Sequence, residues 1–222
     1  MVNVYMMPGM AANPTVFERI DLPDKEFKMV WLSWEIPKKE ESLKAYAKRM
    51  VEPIEKDKPV VLIGVSFGGV LVQEMSRFLI IKRLIIISSV KSKQELPARM
   101  KLARYSGFYK ILPTGLLNYI TQIEKLPVGS AIRKRLKLYQ QYFSMKDKYY
   151  INWAIKEMLC WEQVQPIEDI IHIHGDEDLV FPIKNISDCI GIAKGSHIMI
   201  LNKYRWFNAN LPGLISEGIL QH

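Results

Sequence analysis

Hydrophobic positions along the chain fall into two rhythms. Short, mostly apolar runs recur at residues 2–7 (VNVYMM), 60–65 (VVLIGV) and 83–88 (RLIIIS). Runs of this length, rich in β-branched residues and ended by turn formers, predict strands buried on both faces. Weaker runs predict further strands at 27–32, 170–174 and 189–193. Between them the apolar residues follow helical spacing, as at Leu43, Tyr46, Ala47, Met50 and Ile54 within 41–54. Asn13-Pro14 has the form of an N-cap with proline at the first helical position, and opens a short helix through Arg19. Residues 69–79 predict another helix and 206–220 a closing one, with Pro212-Gly213 interrupting or delaying it.

The alternation stops at residue 91 and resumes near 168. The stretch between reads as several helices separated by proline and glycine, with no strand signal. Alternating strands and helices mean a mostly parallel sheet with helices on both faces. The expected organisation is therefore a core of 1–90 and 168–222 carrying an all-helical insert over 91–167. Ligands of open α/β sheets bind beyond the carboxyl ends of the strands, so an insert leaving from such an end is placed to roof the site.

Composition sharpens this reading. The chain has 222 residues, 49% of them hydrophobic, which suits one domain with a proper core. No apolar stretch is long enough to cross a bilayer, and the N-terminal residues lack the basic flank and apolar centre of a secretory signal. With only Cys160 and Cys189, a disulfide framework is not expected; two buried thiols in a cytoplasmic protein are. The net charge of +8 is concentrated. Residues 91–150 hold thirteen Lys and Arg against three acids, densest in RKRLK at 133–137, and the rest of the chain is slightly acidic. No nucleic-acid-binding signature accompanies the charge, so a solvated helix face, or attraction of an anionic substrate or lipid surface, is the expected meaning.

Chemistry concentrates in Gly64-Val65-Ser66-Phe67-Gly68, between a predicted buried strand and a predicted helix. A serine on so sharp a turn has a strained backbone, and large side chains two residues to either side would collide. A hydroxyl needs a base to become a nucleophile. Of the four histidines, His222 ends the chain, while His172 and His174 share one side of a strand and read as packing at the sheet's end. His197, in the glycine-bearing loop KGSH beyond the last predicted strand, can reach Ser66. The carboxylate that would orient it lies among Asp176, Glu177 and Asp178 of HGDEDLVFP. Asp178 is favoured, three residues past the end of the strand and braced by Val180-Phe181-Pro182, whereas Asp176 suits capping of the turn.

The order Ser66, Asp178, His197, with GVSFGG, HGDEDLVFP and GSH around them, resembles the α/β-hydrolase superfamily: a nucleophile elbow, an acid loop and a histidine loop. The resemblance covers nearly the whole chain in element order. It implies an eight-strand-type sheet, entered here at its third strand, with a helical cap between the sixth and seventh strands, where the insert falls. It also implies an oxyanion hole of two backbone N–H groups, those of Phe67 and of Met10 in MPGMAANP. The expected activity is hydrolysis of a carboxylic ester or related small acyl compound, without cofactor or metal. The aromatic residues of the insert suit an apolar acyl pocket, and its basic character suits an anionic substrate such as an acyl thioester.

Two rivals remain. H-x-H-x-D within HIHGDED also begins a two-metal hydrolase signature, but Glu177 stands where a further histidine is needed, and only His197 follows before the chain end. A non-catalytic ligand-binding or sensor protein on the same fold is the other. The oligomeric state is not readable from the sequence.

Overall fold

The structure is a computed structural model that describes residues 1–107 and 141–220. Six strands form one sheet: β1 (Val2–Met7), β2 (Phe27–Trp31), β3 (Val60–Val65), β4 (Ile81–Ile87), β5 (Ile171–Gly175) and β6 (Ile190–Ile192). Their order is β2-β1-β3-β4-β5-β6, and every pairing is parallel.

The two middle strands, β3 and β4, are apolar on both faces, as suits a parallel sheet covered on both sides. In β3, Val60 and Leu62 join one hydrophobic cluster while Val61, Ile63 and Val65 join the other; in β4, Leu84 and Ile86 oppose Ile85 and Ile87 in the same way. The first face is covered by α1 (Leu43–Met50), α2 (Phe67–Ser76) and α4 (Lys148–Leu159). The second is covered by the 3-10 turn Pro14–Phe17, α5 (Met199–Asn202) and α6 (Tyr204–Ser216). Each fully buried aliphatic or aromatic side chain in these clusters contributes about 1.5–3 kcal/mol. Local caps fix the helix starts: Ser42 Oγ accepts from the Ala45 amide at 3.2 Å, and Asp147 Oδ1 from Tyr150 at 2.8 Å.

Within the expected insert, the described residues form a short 3-10 turn Lys93–Glu95, then α3 (Ala98–Ser106) and α4, and Phe143 makes an antiparallel bridge to Ala12. The RKRLK cluster and the aromatic residues Phe108, Tyr109, Tyr119 and Tyr139 lie outside the described residues. Among the described residues no helix is long and apolar enough to cross a membrane.

Several expectations are corrected. Proline does not interrupt the closing helix: α6 runs unbroken through Pro212. Its ring removes one helical hydrogen bond, and burial of Phe207, Leu211, Leu214 and Ile215 offsets that loss. The helix α1 is shorter than residues 41–54, because Glu41 turns back to bind Arg49 at 2.9 Å and the chain leaves helical geometry after Val51. The helix α2 starts at Phe67, two residues before Gly69. Cys160 and Cys189 are unbridged, and neither is fully buried.

Candidate active site

Ser66 follows β3 and precedes α2 with φ 53° and ψ −122°, a left-handed conformation that strains a residue carrying a β-carbon. Two glycines make the turn sterically possible. A β-carbon at Gly64 would collide with the Gly68 carbonyl, and one at Gly68 with the carbonyls of Met7, the last residue of neighbouring β1, and of Pro8 just after it. The turn is then pinned. The Ser66 amide donates to Ile87 O at 2.9 Å, and Ser66 O accepts from the Gly69 amide at 2.9 Å and from Ser89 Oγ at 2.7 Å.

His197 lies in the loop between β6 and α5. Its Nε2 is 2.9 Å from Ser66 Oγ and its Nδ1 is 2.9 Å from Asp178 Oδ2. Asp178 accepts only, so Nδ1 carries the proton of the neutral ring and Nε2 is left to accept from the Ser66 hydroxyl. Asp178 is 2% exposed, and its other oxygen accepts the Val180 and Phe181 amides at 2.7 and 2.9 Å. Burial pushes the Asp178 carboxyl up, but the hydrogen bond and charge of His197 with these two amides outweigh it and hold the group below its ordinary value. Asp176 and Glu177 point to solvent. Their amides tie the acid loop to the far end of the sheet, donating to Ile192 O and Gly195 O at 3.2 and 2.9 Å. The structure thus brings Ser66, Asp178 and His197 together and leaves Asp176 outside.

His172 and His174 do more than pack. His174 Nε2 is 2.8 Å from Phe181 O, which can only accept, so that nitrogen is protonated; Nδ1 of the neutral ring then accepts from His172 Nε2, 3.1 Å away. His174 Nε2 also stands 3.6 Å from Asp178 Oδ2. Burial is the main cause that lowers both imidazoles, His172 the more strongly, with the neighbouring His174 and Lys91 adding to the effect on His172. Among the described residues no group of three or more His, Cys, Asp or Glu is arranged to hold a metal ion.

The loop after β1 is gripped from two sides. Trp34 Nε1 donates to Gly9 O at 2.7 Å, and the Ala11 amide donates to Tyr150 Oη at 3.1 Å. Ala11 O accepts the amides of Ser144 and Met145 at 3.0 and 3.1 Å. Sequence reading found neither Trp34 nor Tyr150, because an aromatic side chain that reaches a distant backbone atom leaves no local pattern. A cavity of about 580 Å³ opens over Ser66 and His197. Met10 and Phe67 line it, with an apolar wall that includes Val16, Tyr142, Ile155, Met158, Leu159 and Leu201. Arg99 of α3 also lines it, with Nη2 held by Leu179 O and Val180 O at 2.6 and 2.7 Å.

Solved structures share this arrangement of elements at low identity. An esterase from Exiguobacterium antarcticum is 16% identical, with a TM-score of 0.64 over 98% of this chain and 92% of its own. A thermophilic esterase from Thermogutta terrifontis is 14% identical, with a TM-score of 0.66 over 94% and 87%. MenH from S. aureus is 14% identical, with a TM-score of 0.63 over 97% and 93%. No protein-family model and no curated protein matches the chain. The chain has the α/β-hydrolase fold. Its sheet is made of six parallel strands, and the described helices α3 and α4 lie between β4 and β5.

Proposed function

We propose that this protein is a serine hydrolase that cleaves a carboxylic ester or related small acyl compound through an acyl-enzyme. The observation that carries the reading is the unbroken series Ser66 Oγ, His197, Asp178, with both hydrogen bonds at 2.9 Å and the hydroxyl opening into an apolar cavity. His197 Nε2 takes the Ser66 proton as Oγ attacks the acyl carbon, and Asp178 stabilises the imidazolium that forms. The oxyanion is held by the amides of Met10 and Phe67, each worth about 3 kcal/mol in the transition state. The choice of Met10 is supported by its neighbours, since the Ala11 amide is taken by Tyr150 and the Ala12 amide by Gly9 O. The tetrahedral intermediate collapses, and the leaving group departs with the proton from His197. Water, deprotonated by the same imidazole, then releases the acid and restores Ser66.

This cycle requires neither cofactor nor metal. The lining of the cavity favours an apolar acyl group, and Arg99, the one Arg or Lys among its described lining residues, favours an anionic group elsewhere on the substrate. The esterases among the similar solved structures support acyl chemistry at the level of fold. The test is rapid-mixing release of p-nitrophenolate from short- and medium-chain esters, with Ser66→Ala beside the parent. A stoichiometric burst that the variant lacks supports the acyl-enzyme. No turnover, with Ser66 unlabelled by a fluorophosphonate, points instead to a non-catalytic ligand-binding or sensor protein.

A further inference from the structure

We infer that Trp34 is a positioning residue that aims the two backbone donors of the oxyanion hole, an inference that rests on the serine-hydrolase reading above. Trp34 lies in the loop after β2 and is 6% exposed. It is absent from the cavity lining, so it touches no reacting atom. Two of its contacts fall on the two halves of the proposed hole. The indole N–H donates to Gly9 O at 2.7 Å, and the ring stacks on Phe67 with centroids 5.1 Å apart and planes 9° from parallel.

The first contact acts through the geometry of a single peptide unit. Gly9 C=O and Met10 N–H belong to the same planar group, and the structure contains no cis peptide bond among its described residues, so the two point in opposite directions. Anchoring the oxygen on Trp34 therefore directs the Met10 N–H the other way, and Met10 lines the cavity that Ser66 faces. The same oxygen accepts the Ala12 amide at 3.0 Å. Two donors on one carbonyl polarise the peptide and strengthen its N–H as a donor. Indole suits the task because it donates one hydrogen bond and accepts none, so it cannot compete for the Met10 proton.

The second contact holds Phe67, whose own amide is the other proposed donor. Tyr150, which binds the Ala11 amide, packs on the same indole with centroids 5.5 Å apart. One side chain thus sets the spacing between the loop after β1 and the first turn of α2. Hydrogen-bond donors that are fixed in advance are the ones that stabilise developing charge without reorganisation.

The experiment compares the parent, Trp34→Phe and a protein carrying benzothienylalanine at position 34, which keeps the bicyclic ring and replaces N–H by sulfur. Gly9 O keeps the Ala12 amide in all three, and the benzothienyl protein retains the packing if the phenylalanine variant folds poorly. With a p-nitrophenyl ester, the acylation rate is expected to fall about tenfold while KM changes less than about twofold. Affinity for a trifluoromethyl ketone, whose adduct with Ser66 carries an oxyanion, falls by the same factor, and affinity for the matching methyl ketone is unchanged. An unchanged acylation rate in both proteins, or equal loss of affinity for the two ketones, overturns the inference. Ser66→Ala run alongside separates the two levels. Turnover that survives it overturns the serine-hydrolase reading and this inference with it, whereas a burst lost there but intact in both position-34 proteins overturns only the role of Trp34.

Discussion

Asp178 gives His197 one carboxylate oxygen at 2.9 Å and commits the other to its own turn, through the Val180 and Phe181 amides. The carboxylate cannot rotate without breaking three hydrogen bonds. Asp178→Asn should keep the turn, because the amide oxygen replaces Oδ1, but its NH2 would face Nδ1 and force the wrong imidazole tautomer. Steady-state kinetics on an activated ester should show kcat reduced by about 10⁴ with little change in KM. Asp176→Asn, on the exposed side of the same loop, should stay within about twofold of the parent.

The turn that carries Ser66 leaves no room under Gly68. Gly68→Ala would drive a methyl group into the backbone of β1, which belongs to the sheet and cannot yield. Denaturant unfolding should show a loss of about 2–3 kcal/mol. The nucleophile should also lose activity beyond that expected from the unfolded fraction. An unchanged midpoint would mean that β1 and α2 separate more easily than the structure indicates.

The paired histidines predict how stability depends on pH. His172 and His174 are buried and their folded values are lowered from 6.5, so on acidification the unfolded chain binds protons first. Stability should be full above about pH 6.5 and fall below it, by up to about 1.4 kcal/mol per pH unit for each imidazole. Asp178, lowered from 3.8, adds its share only at more acid pH. Unfolding midpoints measured from about pH 7 to about pH 5 should show this slope, and His172→Phe should reduce it whatever its effect on stability at neutral pH. An equal slope in the variant would assign the acid sensitivity to other groups.

Chain-length preference should follow the cavity wall. Met158, on α4, is buried and lines the cavity. Met158→Trp fills part of the space, and each methylene that no longer fits should cost about 0.8 kcal/mol, or roughly fourfold in kcat/KM. A series of p-nitrophenyl esters of increasing length should show its optimum moved to shorter acyl groups. An unmoved optimum would put the acyl chain against a different part of the wall.

What the sequence disclosed follows from where each signal lives. The strands β1 and β3 are legible to the residue because both faces are buried and the apolar run ends where burial ends. Ser66, Asp178 and His197 are legible because tight turns impose glycine and proline at fixed offsets, and those offsets survive as patterns. Pro212 misleads because its local preference is overridden by packing of Leu211 and Leu214 on the sheet, information held by residues far along the chain. Trp34 and Tyr150 are silent for a related reason: each binds a backbone atom, and a backbone atom has no letter. The two histidines of β5 read as packing, since the bond of His174 to Phe181 O depends on how the acid loop folds back.

Ser66 and His197 are 131 residues apart, and Ala11 and Tyr150 are 139 apart, so the site is closed by contacts between distant parts of the chain. Parallel pairing across such distances is slow, because loop-closure entropy is lost before the contacts that repay it form. A nascent chain that has emerged only as far as β4 therefore carries Ser66 without Asp178 and His197. During refolding, helical circular dichroism should return well before hydrolysis does, and the gap between them would time the docking of the last third of the chain onto the first.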